Sequence, residues 1–94
     1  NKLLPSCGVY ATRTIIDNVS YPGMTNIGYK PSVGIEKDKG VETYLYDFDG
    51  DLYGKEIQVE ILHYVREEIK FDNLQDLKAK MNEDLAYGRK YFKI

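Results

Sequence analysis

Apolar residues change their period once along this chain. As far as Val65 they fall in short extended runs, and from Leu74 onward they recur every three or four residues. Gly8 to Ile16 is rich in Val, Tyr, Thr and Ile with no helical period, which predicts a strand. Tyr21-Pro22-Gly23 predicts a turn, because Pro presets φ and Gly supplies positive φ. Met24 to Tyr29 follows as a short strand closed by Lys30-Pro31, and residues 34–40 read as a polar loop bounded by two glycines. Val41 to Phe48 is extended again, Asp49-Gly50 turns it, and Leu52 to Val65 returns. Asp-Gly between two such runs predicts a hairpin, since a type I′ turn needs positive φ at both central positions. In the returning strand Ile57, Val59, Ile61, His63 and Val65 share one face, with Glu56, Gln58 and Glu60 on the other. That alternation marks a sheet with one side buried.

In the last quarter Leu74, Leu77, Met81, Leu85 and Gly88 form one helical stripe. Asp72 is the predicted N-cap, with Gln75 three residues later as a capping box wants, and Arg89, Lys90 and Lys93 suit the C-terminus. The expected order is four or five antiparallel strands, then one amphipathic helix of about 15–19 residues. Short consecutive strands with one covering helix predict a mainly β fold, a small antiparallel barrel.

At 94 residues the chain fits one small domain. With 43% hydrophobic and 30% charged residues, it has the composition of a globule rather than of a disordered segment. No apolar run approaches the roughly 18–20 residues of a membrane span. The single cysteine, Cys7, cannot form an internal disulfide, and no Cys/His cluster has zinc-ligand spacing. A net charge of −2 offers no broad positive field for nucleic acid or anionic membranes, so neither is an expected partner. A reducing, cytoplasmic setting is expected. Nine Tyr stand against three Phe and no Trp, which fits either a β-rich core with phenol tips at the surface or a flat-ligand site lined by phenols.

Few residues declare chemistry. Asp47-Phe48-Asp49-Gly50-Asp51 resembles the opening of a calcium loop, but Gly50 precedes Asp51 and the twelfth position is Gln58, so turn chemistry explains it better. His63, the only histidine, has no nucleophile in motif with it and reads as a packed residue. There is no phosphate-binding P-loop sequence. Glu42 stands out. Its same-side neighbours are Tyr44, Tyr46 and Phe48, and a poorly solvated carboxylate suits a general base; the competing reading is a plain solvent face. Arg66-Glu67-Glu68 reads as a charged strand end.

Four stretches together resemble the riboflavin kinase domain. They are Leu4-Pro5-x-x-Gly8-Val9-Tyr10-Ala11; Tyr21-Pro22-Gly23-Met24-Thr25-Asn26-Ile27-Gly28-x-x-Pro31-Ser32; Val41-Glu42-Thr43-Tyr44-Leu45 running into Asp47-Phe48-Asp49-Gly50-Asp51-Leu52-Tyr53-Gly54-Lys55; and Val65-Arg66-Glu67-Glu68-x-Lys70-Phe71-Asp72-x-Leu74-x-x-Leu77. The resemblance covers essentially residues 1–94, in the family's order. It implies a six-stranded antiparallel Greek-key barrel with one C-terminal α-helix. It also implies transfer of the γ-phosphate of ATP to the ribityl 5′-hydroxyl of riboflavin, giving FMN and ADP. On this resemblance Glu42 matches the catalytic base; Leu45, Asp47 and Tyr53 match nucleotide contacts; and Arg66, Ile69 and Phe71 match a flavin-side flap.

One family segment is missing from the sequence: an upstream Gly-rich loop ending in Pro-Thr-Ala-Asn, whose Thr and Asn serve Mg²⁺ and ATP. Thr25-Asn26 belongs to another stretch, so no metal ligand is assigned here. The chain starts at Asn1, and the expectation is a C-terminal part of a longer polypeptide, with an FMN adenylyltransferase domain upstream. Without its first strand, the barrel is expected to have a gap beside Val9–Ile16, with Glu42 opening onto it, and the segment alone is not expected to make FMN. The alternatives are a non-catalytic flavin- or nucleotide-binding barrel and a plain interaction module.

Overall fold

A computed structural model describes residues 5–30 and 38–94. Four strands and one helix follow in order: β1 (Gly8–Ile16), β2 (Val19–Lys30), β3 (Asp38–Leu45), β4 (Ile57–Arg66) and α1 (Leu74–Phe92). All pairings are antiparallel, and the sheet order is β3-β2-β1-β4. The fold is therefore mainly β with a C-terminal helix, and among the described residues its sheet is open, with β3 and β4 as its edges. The expected gap beside Val9–Ile16 is not found, because β1 is paired on both sides.

Turn chemistry accounts for two further corrections. The β1–β2 turn is Asp17-Asn18, both left-handed (φ 52° and 68°), as a two-residue hairpin requires. Tyr21-Pro22-Gly23 lies inside β2 instead of turning the chain. Pro22 is tolerated there because its carbonyl, which accepts from Tyr46 N at 2.9 Å, faces the side where β3 pairing has stopped at Gly23↔Leu45. The missing Pro22 N–H faces the same way and interrupts no ladder. Asp49-Gly50 closes no hairpin either. β3 ends at Leu45, Asp47 is left-handed (φ 57°), and residues 46–56 carry the chain from one sheet edge to the other. Asp38–Gly40 of the predicted polar loop belong to β3, while Leu4, Pro31, Ser32 and residues 34–37 lie outside the described residues.

Register divides the sheet into two faces, since paired residues point the same way. One carries Val9, Ala11, Arg13, Met24, Asn26, Glu42 and Tyr44, and the other Tyr10, Thr12, Thr14, Thr25, Ile27 and Thr43. β4 has two irregularities: Val9 and Tyr10 pair with Arg66 and Tyr64, and Ala11 and Thr12 pair with His63 and Ile61. Val65 and Leu62 are thus extra residues, and each reverses the alternation. Ile57, Val59, Ile61 and Tyr64 therefore face one side and His63 the other, correcting the single face read from the alternation. His63 is not a packed core residue. It is exposed, its Nε2 lies 3.0 Å from the Tyr87 hydroxyl, and its ring stacks on Tyr91 at 5.3 Å.

The helix covers the first face. Val9, Ala11, Met24 and Tyr46 form a buried cluster against which Val65, Leu85 and Phe92 pack. Burying a side chain such as Val9 or Met24 contributes roughly 1.5–3 kcal/mol. Tyr46, fully buried, donates its hydroxyl to the Leu85 carbonyl at 2.7 Å, and burial raises its pKa. The N-cap is Asn73 and not Asp72: its Oδ1 accepts from Asp76 N at 2.8 Å, and Gln75 takes no part. Lys93, left-handed, closes the other end. No helix of the described residues is long and apolar enough to cross a membrane.

Candidate active site

Between the helix and the end of the sheet lies a cavity of about 210 Å³. Val9, Met24, Asn26, Glu42 and Tyr44 form its floor, Leu77, Met81, Asp84 and Leu85 its helical wall, and Arg66, Glu68, Ile69 and Phe71 its rim. Glu42 arrives from β3, directly paired with Asn26 of β2. Arg66 is the last residue of β4, and Ile69 and Phe71 lie on the irregular segment between β4 and α1. Lined mostly by apolar groups, the cavity is smaller than the roughly 300–1,000 Å³ of a drug-sized ligand site.

Its charges are arranged in two sets. Arg66 donates from Nε and Nη2 to the two carboxylate oxygens of Asp84, at 2.9 and 2.7 Å, and from Nη1 to the Glu67 carbonyl at 2.9 Å. Both side chains of the pair are largely buried, at 18% and 13% exposure. The hydrogen bonds that Arg66 donates to Asp84 raise its pKa. Three of the guanidinium's five N–H groups are thereby engaged. Glu42 and Glu68 are the second set. Both also line a smaller cleft of about 80 Å³ with Asn26 and the glycines Gly28 and Gly40. The Glu68 carboxylate lies where a Cβ on Gly28 would be, so only glycine admits it there.

Four of the seven residues selected from sequence thus share one cavity: Glu42, Arg66, Ile69 and Phe71. The other three do not join it. Leu45 lies on the opposite face with its Cδ2 close to Gly23, Asp47 is exposed in the turn after β3, and Tyr53 is 91% exposed in the connection to β4. Glu42 itself is exposed and keeps Tyr44 as a cavity neighbour, whereas Tyr46 turns into the core and Phe48 packs on Tyr21. Of the nine tyrosines only Tyr44 lines the cavity, so the phenols do not build the site. Sequence reasoning missed Asp84. It lies three residues after Met81 and one before Leu85, inside the apolar stripe, and an acid there requires a buried partner.

Among the described residues no set of three His, Cys, Asp or Glu is placed to hold a metal ion.

A small antiparallel sheet capped by a helix, with the Glu42 carboxylate beside a mainly apolar cavity, is the frame these elements build. The riboflavin kinase (Flavokinase) family profile matches residues 1–92, and the chain belongs to that family. It is 37% identical over 87 residues to the RNA-binding riboflavin kinase RibR of Bacillus subtilis (strain 168), covering 93% of this chain and 38% of that protein. It is 40% identical over 86 residues to the bifunctional riboflavin kinase/FMN adenylyltransferase of Pseudomonas fluorescens, covering 92% and 28%. Among solved structures, one described as a macrolide-efflux protein from Streptococcus pneumoniae superposes with a TM-score of 0.80 at 26% identity, over 93% of this chain and 28% of that one. The chain thus spans well under half the length of these relatives.

Proposed function

We propose that this chain is the flavin-phosphorylating part of a riboflavin kinase, transferring the γ-phosphate of ATP to the ribityl 5′-hydroxyl of riboflavin to yield FMN and ADP. The observation that carries the reading is the single cavity that Glu42 shares with Arg66, Ile69 and Phe71. In this reading Ile69 and Phe71 bound the isoalloxazine ring while Glu42, exposed at the floor, accepts the proton of the 5′-hydroxyl as its oxygen attacks phosphorus. Leu45, Asp47 and Tyr53, which lie on one continuous stretch outside the cavity, are assigned to the nucleotide. A separate place for each substrate is what in-line transfer requires, since the cavity is too small for both.

Mg²⁺ would be held by an upstream Pro-Thr-Ala-Asn segment of the kind the family carries, and the two sheet edges left open among the described residues would be completed by further strands toward a six-stranded barrel. An upstream adenylyltransferase domain, as the name of the Pseudomonas fluorescens relative suggests, and a cytoplasmic setting belong to the same reading. Incubating the intact protein with riboflavin, ATP and Mg²⁺ tests it, with FMN and ADP separated chromatographically. Equimolar FMN and ADP are expected. Tight riboflavin binding with no FMN would favour a non-catalytic flavin-binding domain.

A further inference from the structure

The rim of the cavity has no regular structure of its own. Residues 67–72 join β4 to α1 without regular structure, yet Glu68, Ile69 and Phe71 all line the cavity. Glu68 rests against Gly28 of β2, and a second hold lies at the start of the segment. At its start, Arg66 is gripped by Asp84 through a two-point fork, and its third nitrogen donates to the carbonyl of Glu67, the segment's first residue. Asp84 sits in the middle of a 19-residue helix that is itself pinned to the sheet by the Tyr46–Leu85 hydrogen bond. A bidentate Arg–carboxylate contact fixes direction as well as distance, and here it is largely shielded from solvent.

Resting on the flavin-site reading above, we propose that Asp84 is a positioning residue: by clamping Arg66 it sets the segment Glu67–Phe71 as the wall of the cavity that takes the flavin ring. Asp84 need not touch the ligand. Its carboxylate orients the guanidinium, which leaves two N–H groups without a partner among the described residues. The oriented guanidinium also fixes the carbonyl from which the segment departs.

The test is Asp84→Asn in the intact protein, a nearly isosteric change that keeps one acceptor and removes the charge. Amide hydrogen exchange over residues 67–71 and riboflavin binding by fluorescence titration are the readouts. Exchange in that segment should accelerate by about tenfold or more while amides of β1 and β2 stay unchanged. The riboflavin Kd should rise about ten- to hundredfold with the KM for ATP within about threefold of the parent, as a misplaced wall implies. Asp84→Glu, which keeps both oxygens, should recover part of both effects. Unchanged exchange at 67–71, or faster exchange spread evenly over the sheet, would overturn the proposal. A protein that shows the local exchange change but binds no riboflavin would sink the flavin reading and leave the clamp standing.

Discussion

Gly88 lies in the middle of α1, where glycine costs about 1 kcal/mol relative to alanine, and a propensity argument alone would make Gly88→Ala stabilising. Packing reverses the sign. A Cβ at Gly88 would fall on the Tyr46 hydroxyl and within 2.8 Å of Met24 Sδ, both in the buried cluster. Forcing a methyl into a filled core costs about 1–3 kcal/mol. Displacing the Tyr46 hydroxyl from the Leu85 carbonyl adds about 0.5–1.5 kcal/mol. The net expectation is a loss of about 0.5–3.5 kcal/mol, or a melting temperature lower by roughly 2–28 °C for a domain of this size. Thermal unfolding followed by near-ultraviolet circular dichroism, where the tyrosines report, measures it. Because Met24 and Leu85 also line the cavity, riboflavin binding should weaken in parallel. Tyr46→Phe removes the atom in closest conflict, so adding it to Gly88→Ala should cost less than the sum of the two single changes. An alanine variant that melts at or above the parent, or strict additivity with Tyr46→Phe, would refute this account of why the helix carries a glycine.

Phe71→Ala removes an apolar wall of the cavity; riboflavin and FMN titrations should weaken about tenfold or more, with ATP binding unmoved. Thr14→Val replaces a buried hydroxyl that has no partner among the described residues by a methyl of similar shape, so chemical denaturation should show stability unchanged or raised by up to about 1 kcal/mol. Thr12→Val should be destabilising instead, because Thr12 hydrogen-bonds Thr25 at 2.9 Å, which in turn bonds Thr43. Tyr46 has its folded pKa raised above 10.0 by burial, so its neutral form binds its proton more tightly folded than unfolded. Stability is unaffected by this group below about pH 10 and falls as pH rises above it, and Tyr46→Phe should lose that part of the alkaline decline.

Local pattern made β1 and α1 legible, because a β-branched run and a helical stripe are readable from neighbours alone. Strand pairing was less so. Tyr21-Pro22-Gly23 reads as the first turn, but Asp17-Asn18, with positive φ at both positions, closes the hairpin and leaves the proline and glycine inside β2. The Asp49-Gly50 signal was overridden by topology, since the strands it would join occupy opposite edges. The bulge at Leu62 reversed the facing of His63, and nothing in the alternation shows where an extra residue is inserted. Glu42, Arg66, Ile69 and Phe71 line one cavity, although composition and spacing alone left Glu42 undecided between a base and a solvent face. Asp84 was discoverable only as an acid misplaced in an apolar stripe.

Turnover of Glu42→Gln in the intact protein tests the central claim most directly. The substitution keeps the shape at the cavity floor and removes the proton acceptor. With riboflavin, ATP and Mg²⁺, kcat for FMN formation should fall about 10²–10⁴-fold, while the riboflavin Kd stays within about threefold of the parent. A kcat within about threefold of the parent would contradict the assignment of Glu42 as the base.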